Sequence, residues 1–250
     1  MSEEVHWLDD GSPYSARFND RYRSRTGGVA QAVTVFLAGC GLPQLWAGKD
    51  QFTILETGFG LGLNFLTTWA AWEVDQQRCE RLHYVSVEAY PVAAADIICN
   101  AQMANFANEG ASHIEARLPV LAQNLAQAWE HVSPGIQSYF FANGRVQLTL
   151  AVGDVQDMLG ATSCAADAVY LDGFSPAVNP QMWSPATLLS VARHCKPGTR
   201  LATYTVAKRV RLELAGLGFF VEKLKGLPPK RDRLEAVLVS NQAIGETQTG

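Results

Sequence analysis

The sequence predicts an α/β protein built on a doubly wound, mostly parallel sheet with an antiparallel closing hairpin. Short apolar runs alternate with helical patterns along most of the chain, as expected of successive strand-helix-strand units. Acidic residues stand at the ends of several predicted strands, and three alternate glycines follow the first core strand. Ligands bind at the carboxyl ends of the strands in such sheets, so these residues mark the expected site.

Length and composition predict one globular domain of the kind found in soluble proteins. The 250 residues are enough for one α/β domain with its own core. We expect residues 1–240 to form this domain, with 1–50 as a leader packed on it and 241–250 as a flexible tail. Hydrophobic residues make up 48% and charged residues 18%, a balance that excludes disordered and fibrous classes.

Several functional classes are disfavoured by the same composition. No apolar run reaches the ~20 residues that span a bilayer, and the acidic N-terminus differs from a secretory signal peptide. A cytoplasmic protein without membrane contact is therefore expected. The five cysteines are scattered without a C-x-x-C pair, so we expect neither a metal site nor a disulfide framework. The net charge of −4 still allows a local basic face.

The leader contains a segment rich in arginine. Residues 15–37 carry four arginines interleaved with Phe18 and Tyr22 before an apolar stretch begins. Arginines among aromatic residues are typical of nucleic-acid contacts. The alternative is a solvated leader that packs across the domain through its aromatic side chains.

A glycine loop joins the first core strand, predicted at residues 52–55, to a helix. The loop has three alternate glycines, Gly58, Gly60 and Gly62. Glycine permits positive φ and close approach to a ligand, and the helix start offers free N–H groups. A dinucleotide fingerprint would need its third glycine where Leu63 stands. Glu56, which ends the strand, would repel a pyrophosphate but attract the amino end of S-adenosylmethionine. The loop favours a methyl donor, although a purely structural turn would show the same glycines.

The next strand, predicted at residues 83–87, ends at Glu88. This position lies one strand-helix-strand unit after Glu56, where nucleotide-binding domains place the acid that binds ribose hydroxyls. Pro91 predicts the first residue of a helix through residue 106, and a second helical pattern covers residues 117–131.

A hairpin is predicted over residues 139–150, because Asn143-Gly144 lies between alternating apolar arms. Its second arm leads to Asp154 and Val155. Asp154 would accept a hydrogen bond from the adenine amino group, or it would cap the following turn.

The candidate active-site loop is the segment DGFSPAVNPQMW, residues 172–183, which we call the acceptor loop. It follows a compact apolar strand at 168–171, and its two prolines, glycine and aromatics are too irregular for a simple connector. Long functional loops lie at the carboxyl ends of parallel strands.

The remainder of the chain is predicted to supply the last helices and strands of the sheet. A helix from Pro185 to residue 194 leads into a strand that ends near Tyr204, and a helix follows over 206–217. Strands at 219–224 and 234–240 are joined by only about ten residues, so an antiparallel pair is expected. The connection carries a basic cluster that includes Lys230, Arg231 and Arg233. Such a cluster is either a solvated loop or part of the site.

The segments ETGFGLGLNFL, FNDRYRS, LDGFSPAVNPQMW and PPKRDR together resemble a known family. They are similar to the methyltransferase domain of the bifunctional tRNA 5-methylaminomethyl-2-thiouridine biosynthesis proteins, over roughly residues 14–239. The resemblance implies the class I S-adenosylmethionine-dependent methyltransferase fold. It also implies methylation of the 5-aminomethyl group on the wobble uridine, with the anticodon region of tRNA as partner.

The family's second domain is a flavin-dependent oxidase that acts on the same nucleoside. Residues 241–250 are too few to hold it. The chain is therefore expected to be either a stand-alone methyltransferase or the first part of a longer protein, with a flavin-dependent oxidoreductase as its partner.

The chemistry assigns roles to the acceptor loop. A primary alkylamine has a pKa near ~10 and is mostly protonated at pH 7, so an enzyme must accept a proton and align the freed lone pair. Asp172 is the predicted acceptor. Phe174 and Trp183 are predicted to wall the pocket and stack on the uridine, with core packing as the alternative for Trp183. Tyr204 is predicted to orient the amine.

The residues predicted to bind S-adenosylmethionine are Glu56, Gly58, Gly60, Gly62, Asn64, Glu88, Asp154 and Val155. Lys230, Arg231 and Arg233 are predicted to contact tRNA. A Rossmann-like dinucleotide-binding oxidoreductase is the competing prediction; Leu63 disfavours it, whereas Glu88 suits either ligand. A third reading, a non-catalytic tRNA-binding scaffold, would require a dead donor site.

Overall fold

The computed structural model describes residues 3–23, 27–103, 113–227 and 232–239. The leader forms a small antiparallel sheet with the order β1-β2-β3. Its strands are β1 (Val5–Trp7), β2 (Pro13–Ser15) and β3 (Asp20–Arg21). The sequence analysis did not predict this sheet, because its strands are only two or three residues long and lack an alternating pattern.

The central sheet has eight strands in the order β10-β11-β9-β8-β4-β5-β7-β6. These strands are β4 (Gln51–Thr57), β5 (Arg81–Glu88), β6 (Gly135–Phe141), β7 (Val146–Val152), β8 (Ala166–Leu171), β9 (Cys195–Thr203), β10 (Phe219–Lys225) and β11 (Asp232–Leu238). Strands β4, β5, β7, β8 and β9 are parallel. Strand β11 is antiparallel to both β9 and β10, and β6 is antiparallel to β7. This topology confirms the predicted fold class, and both predicted hairpins are present.

The order in which strands are added to the sheet reverses at β4. The chain first moves outward through β5 to the β7-β6 edge, and then returns to place β8 on the other side of β4. The carboxyl ends of β4 and β8 therefore form the switch point at which ligands bind in open α/β sheets.

The described residues form seven α-helices around the sheet. They are α1 (Gly28–Gln31), α2 (Leu63–Val74), α3 (Ala94–Met103), α4 (Leu118–Trp129), α5 (Val155–Ala161), α6 (Pro185–Arg193) and α7 (Lys208–Gly216). Helices α2, α3 and α4 pack against one another. Helix α6 packs against both α5 and α7. Neighbouring residues Ile54 and Leu55 lie in different apolar clusters, because successive strand side chains point to opposite faces. In the described part of the chain, the helices are too short or too polar to cross a membrane.

One predicted boundary is wrong. Pro91 does not begin α3, which starts at Ala94. The Glu3 N–H donates to the Pro91 carbonyl at 2.9 Å, and Glu3 forms an isolated parallel bridge with Val92. The leader therefore holds this segment in an extended conformation. The predicted end of this helix, beyond Met103, lies outside the described residues.

Candidate active site

A cavity of about 340 Å³ lies at the carboxyl ends of β4, β5 and β8. Its volume falls in the range of pockets that hold small ligands, roughly 300–1,000 Å³. Of the predicted site residues that the structure describes, those in its wall are Gly58, Gly60, Asn64, Glu88, Asp154, Val155, Asp172 and Phe174. Residues more than a hundred positions apart in the sequence thus meet at the predicted edge of the sheet.

The glycine loop needs its glycines for conformation and for space. Gly58, Gly60 and Gly62 have φ values of 79°, 53° and 70°. A Cβ on Gly58 would lie 3.0 Å from the Cα of Gly173, and a Cβ on Gly60 would lie 3.3 Å from Cδ1 of Tyr22. The loop therefore runs directly against the acceptor loop on one side and the leader on the other.

Glu88 lies in the cavity wall and holds the glycine loop. Its carboxylate accepts hydrogen bonds from the Gly60 N–H at 2.7 Å and the Tyr90 N–H at 2.8 Å. Burial raises the pKa of this carboxyl group. A carboxylate has about four acceptor sites, so these two bonds leave capacity for ribose hydroxyls.

Asp154 lines the cavity and caps a helix, so its position is compatible with both predicted roles, the adenine contact and the cap. It is the N-cap of α5, since its Oδ1 accepts from the Gln156 N–H at 2.9 Å. The Gln181 side chain donates to its Oδ2. Asp154 also lines the cavity together with Val155, the first residue of α5.

Glu56 is fully buried and does not belong to the described wall of the cavity. Its contact with the methyl donor stays a prediction. Its carboxyl group accepts from the Asn64 amide at 3.0 Å and from the Ser86 hydroxyl at 2.7 Å. Burial raises the pKa of Glu56 to about 8. The side chain points to the sheet face that α2 covers, and the sequence alone did not decide between the two faces.

Asn64 joins Glu56 to Asp172. Its amide nitrogen donates at 3.0 Å to Glu56 and at 2.8 Å to Oδ2 of Asp172. The Gly173 N–H donates to Oδ1 of Asp172 at 2.9 Å. Both carboxylate oxygens of Asp172 are therefore oriented within the cavity wall, by the start of α2 on one side and the acceptor loop on the other.

The leader supplies an aromatic wall that the sequence analysis did not place in the site. Phe18 stacks on Phe174 with ring centroids 4.6 Å apart, and Tyr22 meets Phe174 edge-on at 5.0 Å. All three rings line the cavity. The interleaved aromatics of residues 15–37 were the available signal, but a contact between residues 18 and 174 is not encoded locally.

The predicted substrate contacts of Trp183 and Tyr204 stay predictions; the structure places both side chains against the backbone of the acceptor loop. Trp183 is fully buried and lies outside the cavity wall; its indole N–H donates to the Phe174 carbonyl at 2.8 Å. The Tyr204 hydroxyl donates to the Gly173 carbonyl at 2.7 Å. Both side chains hold the acceptor loop from behind, because aromatic rings with a polar tip suit the base of an irregular loop.

The basic cluster falls largely outside the described residues, which exclude Lys230 and Arg231. Arg233 is not in the cavity wall. Its guanidinium donates twice to Oε1 of Glu235, at 2.9 and 2.7 Å, and once to the Lys225 carbonyl at 2.6 Å. The bond to Lys225 joins β11 to β10, whereas the bonds to Glu235 lie within β11. The contact of Arg233 with tRNA stays a prediction.

The cavity suits S-adenosylmethionine. Gly58 and Gly60 line the cavity, and acids stand at the ends of the two strands that flank β4, Glu88 at the end of β5 and Asp172 after β8. The carboxylate of Glu88 matches the hydroxyl groups of the donor. Among the described residues, no group of three or more His, Cys, Asp or Glu side chains is arranged to hold a metal ion.

Comparisons with known proteins agree with this geometry. A family model described as S-adenosyl-L-methionine-dependent methyltransferase matches residues 117–239. The chain is 53% identical over 236 residues to the tRNA 5-methylaminomethyl-2-thiouridine biosynthesis bifunctional protein MnmC of Acidovorax sp. (strain JS42), and the match covers 94% of the chain and 35% of that protein. It is 52% identical over 239 residues to the protein of the same name from Polaromonas naphthalenivorans (strain CJ2), with 94% and 36% covered. The chain thus spans about a third of the length of these curated relatives.

The fold agrees with a solved structure. The crystal structure of MNMC2 from Aquifex aeolicus matches with a TM-score of 0.69 and 23% sequence identity, and the match covers 95% of this chain and 71% of that chain. These findings do not favour a dinucleotide-binding oxidoreductase. The chain is similar to S-adenosyl-L-methionine-dependent methyltransferases over residues 117–239 and to about a third of the length of the bifunctional relatives, and it shares its fold with the solved structure.

Proposed function

We propose that this domain methylates the 5-aminomethyl group of the wobble uridine or 2-thiouridine in tRNA, giving the 5-methylaminomethyl nucleoside. The names of the relatives, at about half identity over most of the chain, support this substrate. The single observation that carries the proposal is the carboxylate of Asp172. It lies in the cavity wall beside the glycine loop, with both oxygens held by hydrogen bonds.

Asp172 is suited to an amine substrate. Bound S-adenosylmethionine supplies an electrophilic methyl group. The attacking nitrogen must first lose a proton, since an ammonium group has no lone pair for attack. Asp172 accepts this proton or holds the amine, and Asn64 fixes the direction of its Oδ2. The paired rings of Phe18 and Phe174 offer a stacking surface to the uracil ring and keep water from it.

Methylation of a ring carbon would need a different arrangement. Carbon-5 methylation of a pyrimidine generally uses a cysteine nucleophile. The five cysteines are Cys40, Cys79, Cys99, Cys164 and Cys195. None of them belongs to the described wall of the cavity, and burial raises the pKa of each thiol. The site therefore favours a substrate that carries its own nucleophile, as an alkylamine does.

Two partners follow from the same proposal. The anticodon region of tRNA is the macromolecular substrate, and Lys230 and Arg231 contact its phosphates. A flavin-dependent oxidoreductase domain or protein acts on the same nucleoside, in line with the bifunctional relatives, of which the chain spans about a third.

The test is single-turnover methylation of tRNA that carries 5-aminomethyluridine. Asp172→Ala should retain donor affinity by calorimetry and lose about 10²- to 10⁴-fold in rate, the usual range for a general base. Asp172→Asn can orient an amine but cannot take its proton, so its rate should recover as the pH rises. Asp157→Asn, an exposed acid of α5, is the matched control. A wild-type rate for Asp172→Ala at neutral pH would refute the proposal.

A further inference from the structure

Arg23 is a cavity residue without a carboxylate partner among the described residues. Its Nε donates to Oδ1 of Asn100 at 2.9 Å, and one terminal nitrogen donates to the Gly11 carbonyl at 3.0 Å. These two bonds to neutral groups use two of the five N–H donors of a guanidinium. The neighbouring cavity residue Arg21 differs, because it donates to both carboxylate oxygens of Asp10 at 3.0 Å.

The environment of Arg23 leaves its charge incompletely compensated. Burial lowers the pKa of this guanidinium, with the more distant Asp10 acting in the opposite direction. A partly desolvated cation is stabilised by an anion that makes direct hydrogen bonds to it. The rigid fork of arginine suits a carboxylate in particular, since two parallel N–H groups match its two oxygens.

The position of Arg23 relates it to the glycine loop. A Cβ on Gly28 would lie 2.6 Å from Cδ of Arg23 and 2.5 Å from Cδ2 of Leu63. The aliphatic stem of Arg23 therefore lies close to the first residue of α2, which follows the glycine loop directly. Asn100 is almost fully buried and fixes the guanidinium in the cavity wall.

We propose that Arg23 binds the carboxylate at the amino acid end of the methyl donor. This carboxylate is the donor's anionic group, whereas its sulfonium and ammonium groups are cationic and suit the acids of the cavity. The contact makes Arg23 a determinant of donor affinity. It depends on the methyl donor and not on the identity of the acceptor, so it stands independently of the tRNA substrate.

The test compares two ligands that differ at this end. S-adenosylhomocysteine retains the amino acid group, whereas 5′-methylthioadenosine has the same adenosine thioether without it. Calorimetry on Arg23→Gln should show affinity for S-adenosylhomocysteine reduced roughly ten- to hundredfold, as expected for a charge-assisted hydrogen bond. Affinity for methylthioadenosine should not change. Arg211→Gln, which removes an exposed arginine of α7 outside the described wall of the cavity, should change neither affinity.

The comparison of two ligands in one variant guards against damage to the fold, because misfolding lowers the binding fraction for both ligands equally. Arg23→Lys keeps the charge but loses the fork, and it should bind S-adenosylhomocysteine with intermediate affinity. Equal losses for both ligands, or no loss for either, would overturn the proposal. If Arg23→Gln lowers the affinity for tRNA and leaves the affinity for S-adenosylhomocysteine unchanged, the proposal is overturned in favour of a contact between Arg23 and a tRNA phosphate.

Discussion

Glu56→Gln should make the domain more stable at alkaline pH. Glutamine has the shape of a protonated glutamic acid. Its oxygen can accept from Asn64, as Glu56 does at 3.0 Å, and its amide can donate to the Ser86 hydroxyl, which now lies 2.7 Å from the carboxylate. The substitution thus keeps the size and the hydrogen bonds of the buried side chain and removes only its ability to ionise.

The magnitude follows from the pKa of Glu56, which burial raises from 4.5 to about 8. A carboxyl group with a raised pKa stabilises the fold fully below its unfolded pKa, and this contribution is lost as the pH rises through the folded pKa. Each pH unit between the two values corresponds to about 1.4 kcal/mol. The wild-type domain should therefore lose up to about 5 kcal/mol between pH 4.5 and 8 through this group, and Glu56→Gln should not.

Urea denaturation of both proteins at several pH values between 5 and 8.5 measures this difference directly. The other titrating groups are common to both proteins, so the difference between their free energies of unfolding isolates Glu56. That difference should be small at pH 5 and should grow in favour of Glu56→Gln towards pH 8. Two parallel stability curves would refute the reasoning, because they would mean that the pKa of Glu56 in the folded domain is not raised above its value in the unfolded chain.

Three other variants test separate parts of the site. Gly58 has a positive φ of 79°, and Gly58→Ala places a Cβ 3.0 Å from the backbone of the acceptor loop. It should weaken donor binding at least tenfold, and calorimetry at wild-type affinity would contradict this. Trp183→Phe removes an indole hydrogen bond of 2.8 Å behind the same loop. It should slow single-turnover methylation more than it weakens donor binding, and an unchanged rate would exclude a supporting role. Lys230→Glu combined with Arg231→Glu should weaken tRNA binding and flatten its salt dependence. An unaltered slope would show that the pair makes no phosphate contact.

The fold and the position of the site could be predicted because their signals are local. The glycine loop lies between a strand and a helix within about twenty residues, and this order alone sets its conformation. The acceptor loop follows β8 directly, so its place at the carboxyl edge follows from the parallel sheet. The hairpin was likewise predictable from Asn143-Gly144, whose positive φ values suit its tight turn.

The direction of a side chain and a partner distant in the sequence could not be predicted in this way. Glu56 was assigned to the ligand because it ends a strand, but the alternation of strand side chains directs it into the sheet interior. Trp183 was assigned to the pocket because it belongs to the acceptor loop, yet its ring is large and apolar enough to be the loop's buried support. The stacking of Phe18 on Phe174 joins the leader to the acceptor loop across 156 positions, and no local pattern specifies it.

The hydrogen bonds around Asp172 show that donor and acceptor sites are one structural unit. Asn64 begins the helix after the glycine loop and donates to Asp172, while the Thr57 hydroxyl donates to the Asp172 carbonyl at 2.9 Å. Gly58 meets the backbone of Gly173 with no room for a side chain between them. A change that shifts the glycine loop must therefore shift the carboxylate of Asp172. Kinetic effects of substitutions in the glycine loop combine donor affinity with acceptor geometry, and only binding measurements without tRNA separate the two.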